Sequence, residues 1–176
     1  MSKYRSLQWL LACVGVTLCA LGWAADLPPA EPHPLDFTSL VDQFGQPFSS
    51  LENTSVVMLV SGMKAKGMAH DALEAVDTSC LRDKRLVYLA NISGMPKMIS
   101  KLIAVPRMRE LDYPVWLDYS GQVAEALPRQ KGRVTVMKLN GDKSVAEVSY
   151  TSSAEPLKEA LLGECAPLAV GGANPG

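Results

Sequence analysis

The sequence predicts an α/β fold in which strands and helices alternate along the chain, and three observations support this prediction. Residues 56–60 are an apolar run rich in β-branched side chains, which is typical of a buried strand. A loop and a helical pattern of apolar residues follow, and the same strand-then-helix order returns from Arg85. Near the end of the chain, Asn140-Gly141 between two apolar runs indicates a hairpin. Together these features predict a central mixed sheet of about five strands flanked by helices.

The first half of the domain contains a short hairpin and two strand–helix units. Residues 37–51 are predicted to form the hairpin, which turns at Gly45. The strand at 55–60 leads to a helix over about 65–81, and the strand at 85–91 leads to a helix that begins near Pro96. Pro106 is predicted to end or break that second helix. Four apolar residues share one face of the second helix: Met98, Ile99, Leu102 and Ile103.

The second half continues the alternation and closes with a hairpin and a helix. A third strand is predicted at 113–118, followed by a short helix at 123–127 and a polar loop at 128–132. The fourth and fifth strands, at 134–139 and 144–150, flank the Asn140-Gly141 turn. A final helix at 153–162 is capped by Ser152 or Ser153 and terminated by Gly163.

The two ends of the chain are predicted to lie outside this domain. Lys3 and Arg5 precede an apolar run at 7–21, and Gly22-Trp23-Ala24 resembles a cleavage site, which predicts a secretory signal peptide at 1–24. An uncleaved N-terminal anchor is the alternative. Residues 25–36, with four prolines, read as a linker. The domain is placed at 37–163 and a disordered tail at 164–176. Cleavage near Ala24 predicts a periplasmic protein with no membrane span after cleavage.

Charge and cysteine content narrow the classes of function. The 17 basic and 18 acidic residues become 15 and 18 without Lys3 and Arg5, a net charge of 15 − 18 = −3, which argues against nucleic acid as a partner. Loss of the signal peptide would leave only Cys80 and Cys165, which in an exported protein predict one structural disulfide. They are not spaced as C-x-x-C. A redox role through this pair is the alternative.

The order of elements and several short motifs resemble a known superfamily. Residues 42–51, the strand at 56–60 and the hairpin around Asn140-Gly141 are similar to the corresponding parts of peroxiredoxin-like and TlpA-like periplasmic proteins. This resemblance implies a thioredoxin-like fold over residues 37–163. More narrowly, Gly62-Met63-Lys64-Ala65-Lys66 after the central strand resembles the YtfJ-like family of small exported bacterial proteins, for which the resemblance implies no established biochemical role.

The same resemblance places the candidate site at the start of the first helix. Ala65-Lys66-Gly67-Met68 falls where thioredoxins have C-x-x-C, and neither alanine nor a thioether provides a thiolate, so disulfide exchange at this position is excluded. Arg133 falls where thioredoxins have a cis-proline. We therefore predict no catalytic residue and a binding groove that takes an anion or carboxylate. Its predicted residues are Gly62, Met63, Lys64, Ala65, Lys66, Gly67, Met68 and Arg133. The alternative interpretation is that Lys64, Lys66 and Arg133 are ordinary solvated side chains that bind no ligand.

Methionine is abundant and suggests one more hypothesis. Met63, Met68 and His70 lie within a short stretch, and such soft ligands could bind Cu(I) in an exported protein. Core packing is the default interpretation for Met58, Met98 and Met137. The sequence thus predicts a non-catalytic binding or scaffold protein without a cofactor. It identifies no ligand or partner, and another periplasmic protein is one candidate partner. The redox and copper roles are the alternatives.

Overall fold

The computed structural model describes residues 35–165; the predicted signal peptide, most of the predicted linker and residues 166–176 lie outside the described residues. The strands are β1 (Val56–Ser61), β2 (Leu86–Asn91), β3 (Trp116–Asp118), β4 (Val134–Leu139) and β5 (Val145–Thr151). The α-helices are α1 (Met63–Leu73), α2 (Ser79–Arg82), α3 (Lys97–Ile99), α4 (Val105–Met108), α5 (Gln122–Ala126) and α6 (Ala154–Leu161). A π-helical segment, Ser100–Ala104, joins α3 to α4.

The strands form one mixed sheet in the order β3-β2-β1-β4-β5. The three strands β1, β2 and β3 are parallel, whereas β4 runs antiparallel to β1 and pairs with β5 as an antiparallel hairpin. Parallel neighbours joined through helices, with an antiparallel hairpin at one edge, are the thioredoxin-like arrangement. The predicted α/β fold is therefore confirmed.

The sheet has an apolar layer on each face, because alternate side chains of a strand point to opposite sides. On one face Val56, Met58 and Val60 pack with α1, α2, α4 and α6. On the other face Val57 and Leu59 pack with the N-terminal segment and α5. Helices α1 and α6 thus share a face. Within residues 35–165 no helix is long and apolar enough to cross a bilayer.

The two predicted hairpins are present with altered details. The N-terminal one is reduced to a tight turn, with Gly45 at a φ of 87° and single bridges from Val41 to Pro47 and to Leu117. The C-terminal one joins β4 to β5, but Lys143 rather than Gly141 takes the positive φ, at 67°. Its loop closes through the Ser144 carbonyl, which accepts a hydrogen bond from the Asn140 N–H at 2.9 Å.

The helix predicted at 65–81 begins earlier and is interrupted. It begins at Met63, immediately after Gly62, and ends at Leu73. A separate short helix, α2, then begins at Ser79. The Asp77 carboxylate accepts a hydrogen bond from the Ser79 N–H at 2.9 Å, which lowers the pKa of Asp77 and ties the chain into a turn there. Aspartate favours such local bonds over a helix interior, which explains the interruption.

The helix predicted near Pro96 differs most from expectation. Residues 97–108 form one helical stretch, hereafter the interrupted helix, in which the π-helical segment precedes Pro106. Proline has no N–H and its ring crowds the preceding turn, and a widened turn relieves that conflict, so Pro106 does not end the helix. Ser100, Ala104, Val105 and Met108 face the protein. The face predicted to be apolar is exposed.

Candidate functional site

One of two cavities near the predicted site lies where β1 and β2 end. Gly62 connects β1 to α1 with a φ of 85°, a conformation that glycine adopts without strain. A cavity of about 570 Å³ opens there. Its lining combines the ends of both strands, the first turns of α1, residues 91–96 and Ile99 of the interrupted helix. This is the end of the sheet at which α/β proteins commonly bind ligands.

A second cavity, of about 650 Å³, adjoins the first along α1. Four residues line both cavities: Met63, Lys66, Tyr88 and Met108. The wall formed by α1 consists of Met63, Lys66, Gly67 and His70, which are spaced as one face of a helix. The two cavities share four lining residues and are hereafter together called the long groove. Both α1 and the interrupted helix contribute residues to each cavity.

The predicted groove residues divide into three groups. Gly62, Met63 and Lys66 line the first cavity, and Gly67 lines the second. Ala65 and Met68 are buried in the core on the other side of α1, so they do not line the groove as predicted. The remaining two, Lys64 and Arg133, are exposed, and neither lines the groove.

The arginine at the first cavity is Arg129, not Arg133. Arg129 lies in the polar loop before β4 and lines the first cavity. The same loop passes close to α1, because a Cβ added at Gly132 would lie 3.9 Å from Lys64 Cδ. Arg133 was the predicted groove residue because it falls where thioredoxins have a cis-proline. Which arginine reaches the cavity depends on the conformation of this loop. No pattern in the sequence therefore favours Arg129 over Arg133.

Two tyrosines lie beneath the groove. The Tyr88 and Tyr113 rings stack with their centroids 6.5 Å apart, and both line the second cavity. Burial raises the pKa of Tyr88 far above its usual value. Burial, with a smaller contribution from Asp112 and Glu74, raises the pKa of Tyr113 to about 12. Both phenols are therefore neutral at physiological pH, so they offer hydrogen bonds to a ligand rather than a negative charge.

The interrupted helix presents large apolar side chains to solvent. Met98 is 71% exposed and Leu102 is 68% exposed, so the prediction that Met98 packs in the core is wrong. Ile99 and Ile103 are also exposed, and Ile99 extends into the first cavity. The apolar lining of the groove is thus continuous with an exposed apolar surface, which is a common mark of a binding site.

Gly67 is an unusual residue for the middle of a helix. It belongs to the groove wall, and a Cβ built there meets nothing within 4 Å. Glycine inside a helix costs about 0.5–1 kcal/mol relative to alanine. Because no neighbouring atom lies close to this position, packing does not require a glycine here. The absence of a side chain only leaves the groove open.

Gly67→Ala is therefore expected to raise the free energy of unfolding by about 0.5–1 kcal/mol, because it restricts the unfolded chain and favours the helix. Urea unfolding followed by circular dichroism measures the change. Gly62→Ala serves as the contrast, since its φ of 85° disfavours a side chain and should make the same substitution destabilising. A loss of stability in Gly67→Ala would contradict this account of the helix.

The two cysteines lie at the other end of the sheet. Cys80 of α2 and Cys165 after α6 are both buried, with Cα atoms 5.2 Å apart, so a disulfide between them is possible. The neighbouring Glu164 accepts a hydrogen bond from Ser55, just before β1, and its carbonyl accepts one from Arg85, just before β2. The pair is thus close to where these strands begin, whereas the groove lies where they end. Cys165 lies two positions past the predicted boundary at 163 and packs in the core.

The residues of the copper hypothesis do not converge on one site. Met63 and His70 both line the second cavity, but Met68 points into the core. His70 is exposed and its Nε2 lies 3.2 Å from a Glu74 carboxylate oxygen. Among residues 35–165, no group of three or more His, Cys, Asp or Glu side chains is placed to hold a metal.

Comparisons with known proteins give structural neighbours at low identity. No family model matches the chain, and no curated protein matches it. The peroxidoxin BcpB from Mycobacterium tuberculosis is 20% identical, with a TM-score of 0.46, covering 74% of this chain and 94% of that one. The pneumococcal lipoprotein thioredoxin Etrx1 from Streptococcus pneumoniae is 14% identical, with a TM-score of 0.48, covering 70% and 96%. StoA from Bacillus subtilis is 15% identical, with a TM-score of 0.44, covering 74% and 98%.

Proposed function

We propose that this chain is a non-catalytic binding protein whose ligand occupies the long groove. The observation that supports the proposal most directly is the position of Gly67, which keeps the wall of the groove open where a helix would gain stability from any side chain. The groove also lies at the ligand-binding end of an α/β sheet, and its two cavities have the size of typical ligand sites.

The lining suits binding rather than thiol chemistry. The residues that line the two cavities include no cysteine, and the only charged groups of the first cavity are Lys66 and Arg129. The second cavity adds His70, Arg107 and Glu110. Apolar contacts from Met63, Met108 and Ile99 would hold the body of a ligand, while the two cations would favour a negative group at the first cavity.

We also propose that the protein acts outside the cytoplasm, as the expected signal peptide and the cysteine pair suggest. A relationship with the YtfJ-like family belongs to the same proposal. It rests on Gly62-Met63-Lys64-Ala65-Lys66, which stands at the junction of β1 and α1. A redox role through Cys80 and Cys165 is less favoured, because the two sulfur atoms are buried and lie far from the groove.

Binding in the groove is tested with anilinonaphthalene sulfonate, a fluorescent probe that combines an apolar ring system with one negative charge. We expect saturable binding to the native protein and an affinity at least about tenfold lower in Gly67→Phe, since the phenyl ring would project from the wall into the second cavity and obstruct it. Asp71→Phe is the matched control: it adds the same ring to α1 at an exposed position that lines neither cavity. Equal affinities of Gly67→Phe and Asp71→Phe for the probe would refute the groove as the binding site.

A further inference from the structure

We infer that the partner bound by the long groove is an acidic amphipathic helix of another protein. This inference rests on the proposed function and adds the chemical class of the ligand. It combines the distribution of charge, the distribution of exposed apolar side chains, and the shape and length of the groove.

Three long stretches of the chain that contribute to the groove contain basic residues but no acidic ones. No aspartate or glutamate occurs from Lys84 to Arg109, from residue 53 to residue 70, or from residue 126 to residue 141. Within residues 35–165 the groove lining contains one acidic side chain, Glu110 of the second cavity. The three stretches supply most of the remaining lining, including Lys66, Arg107 and Arg129. None of these three pairs with an acid within residues 35–165. Because the whole chain has a net charge of −1, this basic surface reflects local segregation of charge and favours an acidic partner.

Exposed apolar side chains concentrate on the two helices that contribute to the groove, and two of them, Met63 and Ile99, line it. Eight large apolar residues are exposed within residues 35–165, and five of them lie on α1 or the interrupted helix. Those five are Met63, Met98, Ile99, Leu102 and Ile103. Lys97 and Lys101 flank this patch on the interrupted helix. A partner that covers both kinds of side chain must itself be apolar in the centre and acidic at its edges.

The shape of the surface favours a polypeptide over a bilayer. The site is a concave groove to which α1 and the interrupted helix both contribute, whereas a lipid surface is broad and would reach only the protruding side chains. Along α1 the wall runs from Met63 to His70, roughly 10 Å at the helical rise per residue, which matches about two turns of a bound helix. Met63, Met95 and Met108 line the first cavity, and flexible thioethers adapt to the apolar side chains of a helix.

The test is a selection for binding from two displayed peptide libraries. Both encode helices with a randomised apolar stripe, and they differ only in carrying glutamate or lysine beside that stripe. We expect binders from the glutamate library alone, displacement of the fluorescent probe by those binders, and weaker binding at higher salt.

Two exposed substitutions locate the contact. Leu102→Glu is expected to weaken the selected peptides by at least about tenfold, because it removes an apolar contact and adds a like charge. Phe44→Glu makes a matched change at an exposed aromatic residue of the N-terminal turn and is expected to have no effect. Both side chains are mostly exposed, so neither variant should lose its fold.

The remaining outcomes separate this inference from the proposed function. Equal recovery from the two libraries, or no binders from either, would refute the acidic helix, while probe binding that Gly67→Phe abolishes would still support the groove. Binding to phosphatidylglycerol vesicles that Leu102→Glu abolishes, without peptide binding, would assign the surface to a membrane. A dimer in sedimentation that Leu102→Glu dissociates would assign it to a second copy of the chain. Failure of the peptides together with probe binding that survives Gly67→Phe would refute both proposals.

Discussion

Cys80→Ala is expected to lower the free energy of unfolding by about 4 kcal/mol under oxidising conditions, the largest effect of any single substitution considered for this chain. The two cysteines are 85 positions apart, and a bond between them would close most of the domain into one loop. Closing a loop of that length restricts the unfolded chain, which accounts for most of the expected effect in a chain-entropy description.

The location of the pair indicates what such a bond would hold together. It would join α2 to the segment after α6, beside the hydrogen bonds from Ser55 and Arg85 to Glu164. Without it, the last described residues of the domain would depend on those two contacts and on the packing of α6. We therefore expect α6 to become the first element to open, which hydrogen exchange of its amides would detect.

Urea unfolding of Cys80→Ala, Cys165→Ala and the double variant measures the effect with an internal control. If the bond forms, each single variant loses it, so the second substitution adds only the packing loss of one small buried side chain, about 1 kcal/mol. Additive losses in the double variant, or an unfolding midpoint that reductant does not change, would show that the cysteines stabilise the domain only by packing.

The order of elements could be predicted because it depends on local patterns. Each central strand is an apolar run buried on both faces, as β1 shows with every residue but Ser61 buried. Glycine marked the turns at Gly45 and Gly62. Counting cysteines in a chain expected to be exported also pointed to Cys80 and Cys165 as a pair, and the structure places them close enough for a disulfide to be possible. These predictions needed no knowledge of how distant segments pack.

The site was predicted less well, because it depends on which side of each helix faces the sheet. Apolar periodicity shows that Met98 and Leu102 share a face but not whether that face is covered. In the interrupted helix the small residues Ser100 and Ala104 turn inward, and the π-helical segment changes the register that a regular helix would keep. Ala65 and Met68 were misplaced for a related reason, since α1 begins at Met63 and not at residue 65.

Gln43 was also missed, although it organises the contact between the N-terminal turn and the base of the groove. Its buried side chain donates a hydrogen bond from Nε2 to the Tyr113 carbonyl and accepts one at Oε1 from the Val115 N–H, both at 2.9 Å. Its own carbonyl accepts a hydrogen bond from Arg109 Nε, also at 2.9 Å. A glutamine in a polar turn resembles many solvated ones, so the sequence gives no sign of these partners.

Gln43→Ala is expected to lower the free energy of unfolding by about 3 kcal/mol, because it leaves a buried N–H and a buried carbonyl without partners. Gln46→Ala is the matched control: it lies on the same turn with an exposed side chain and should change stability by less than about 0.5 kcal/mol. Urea unfolding followed by circular dichroism measures both variants. A loss below about 1 kcal/mol in Gln43→Ala would mean that water replaces the side chain without cost.

The same substitution also tests whether this contact supports the groove. Tyr113 and Val115 both line the second cavity, so releasing their backbone should loosen its base as well as the fold. We expect Gln43→Ala to weaken binding of anilinonaphthalene sulfonate at a urea concentration where the variant is still folded, whereas Gln46→Ala should bind it normally. Unchanged probe affinity in a destabilised Gln43→Ala would show that the side chain holds the N-terminal turn in place and has no part in shaping the groove.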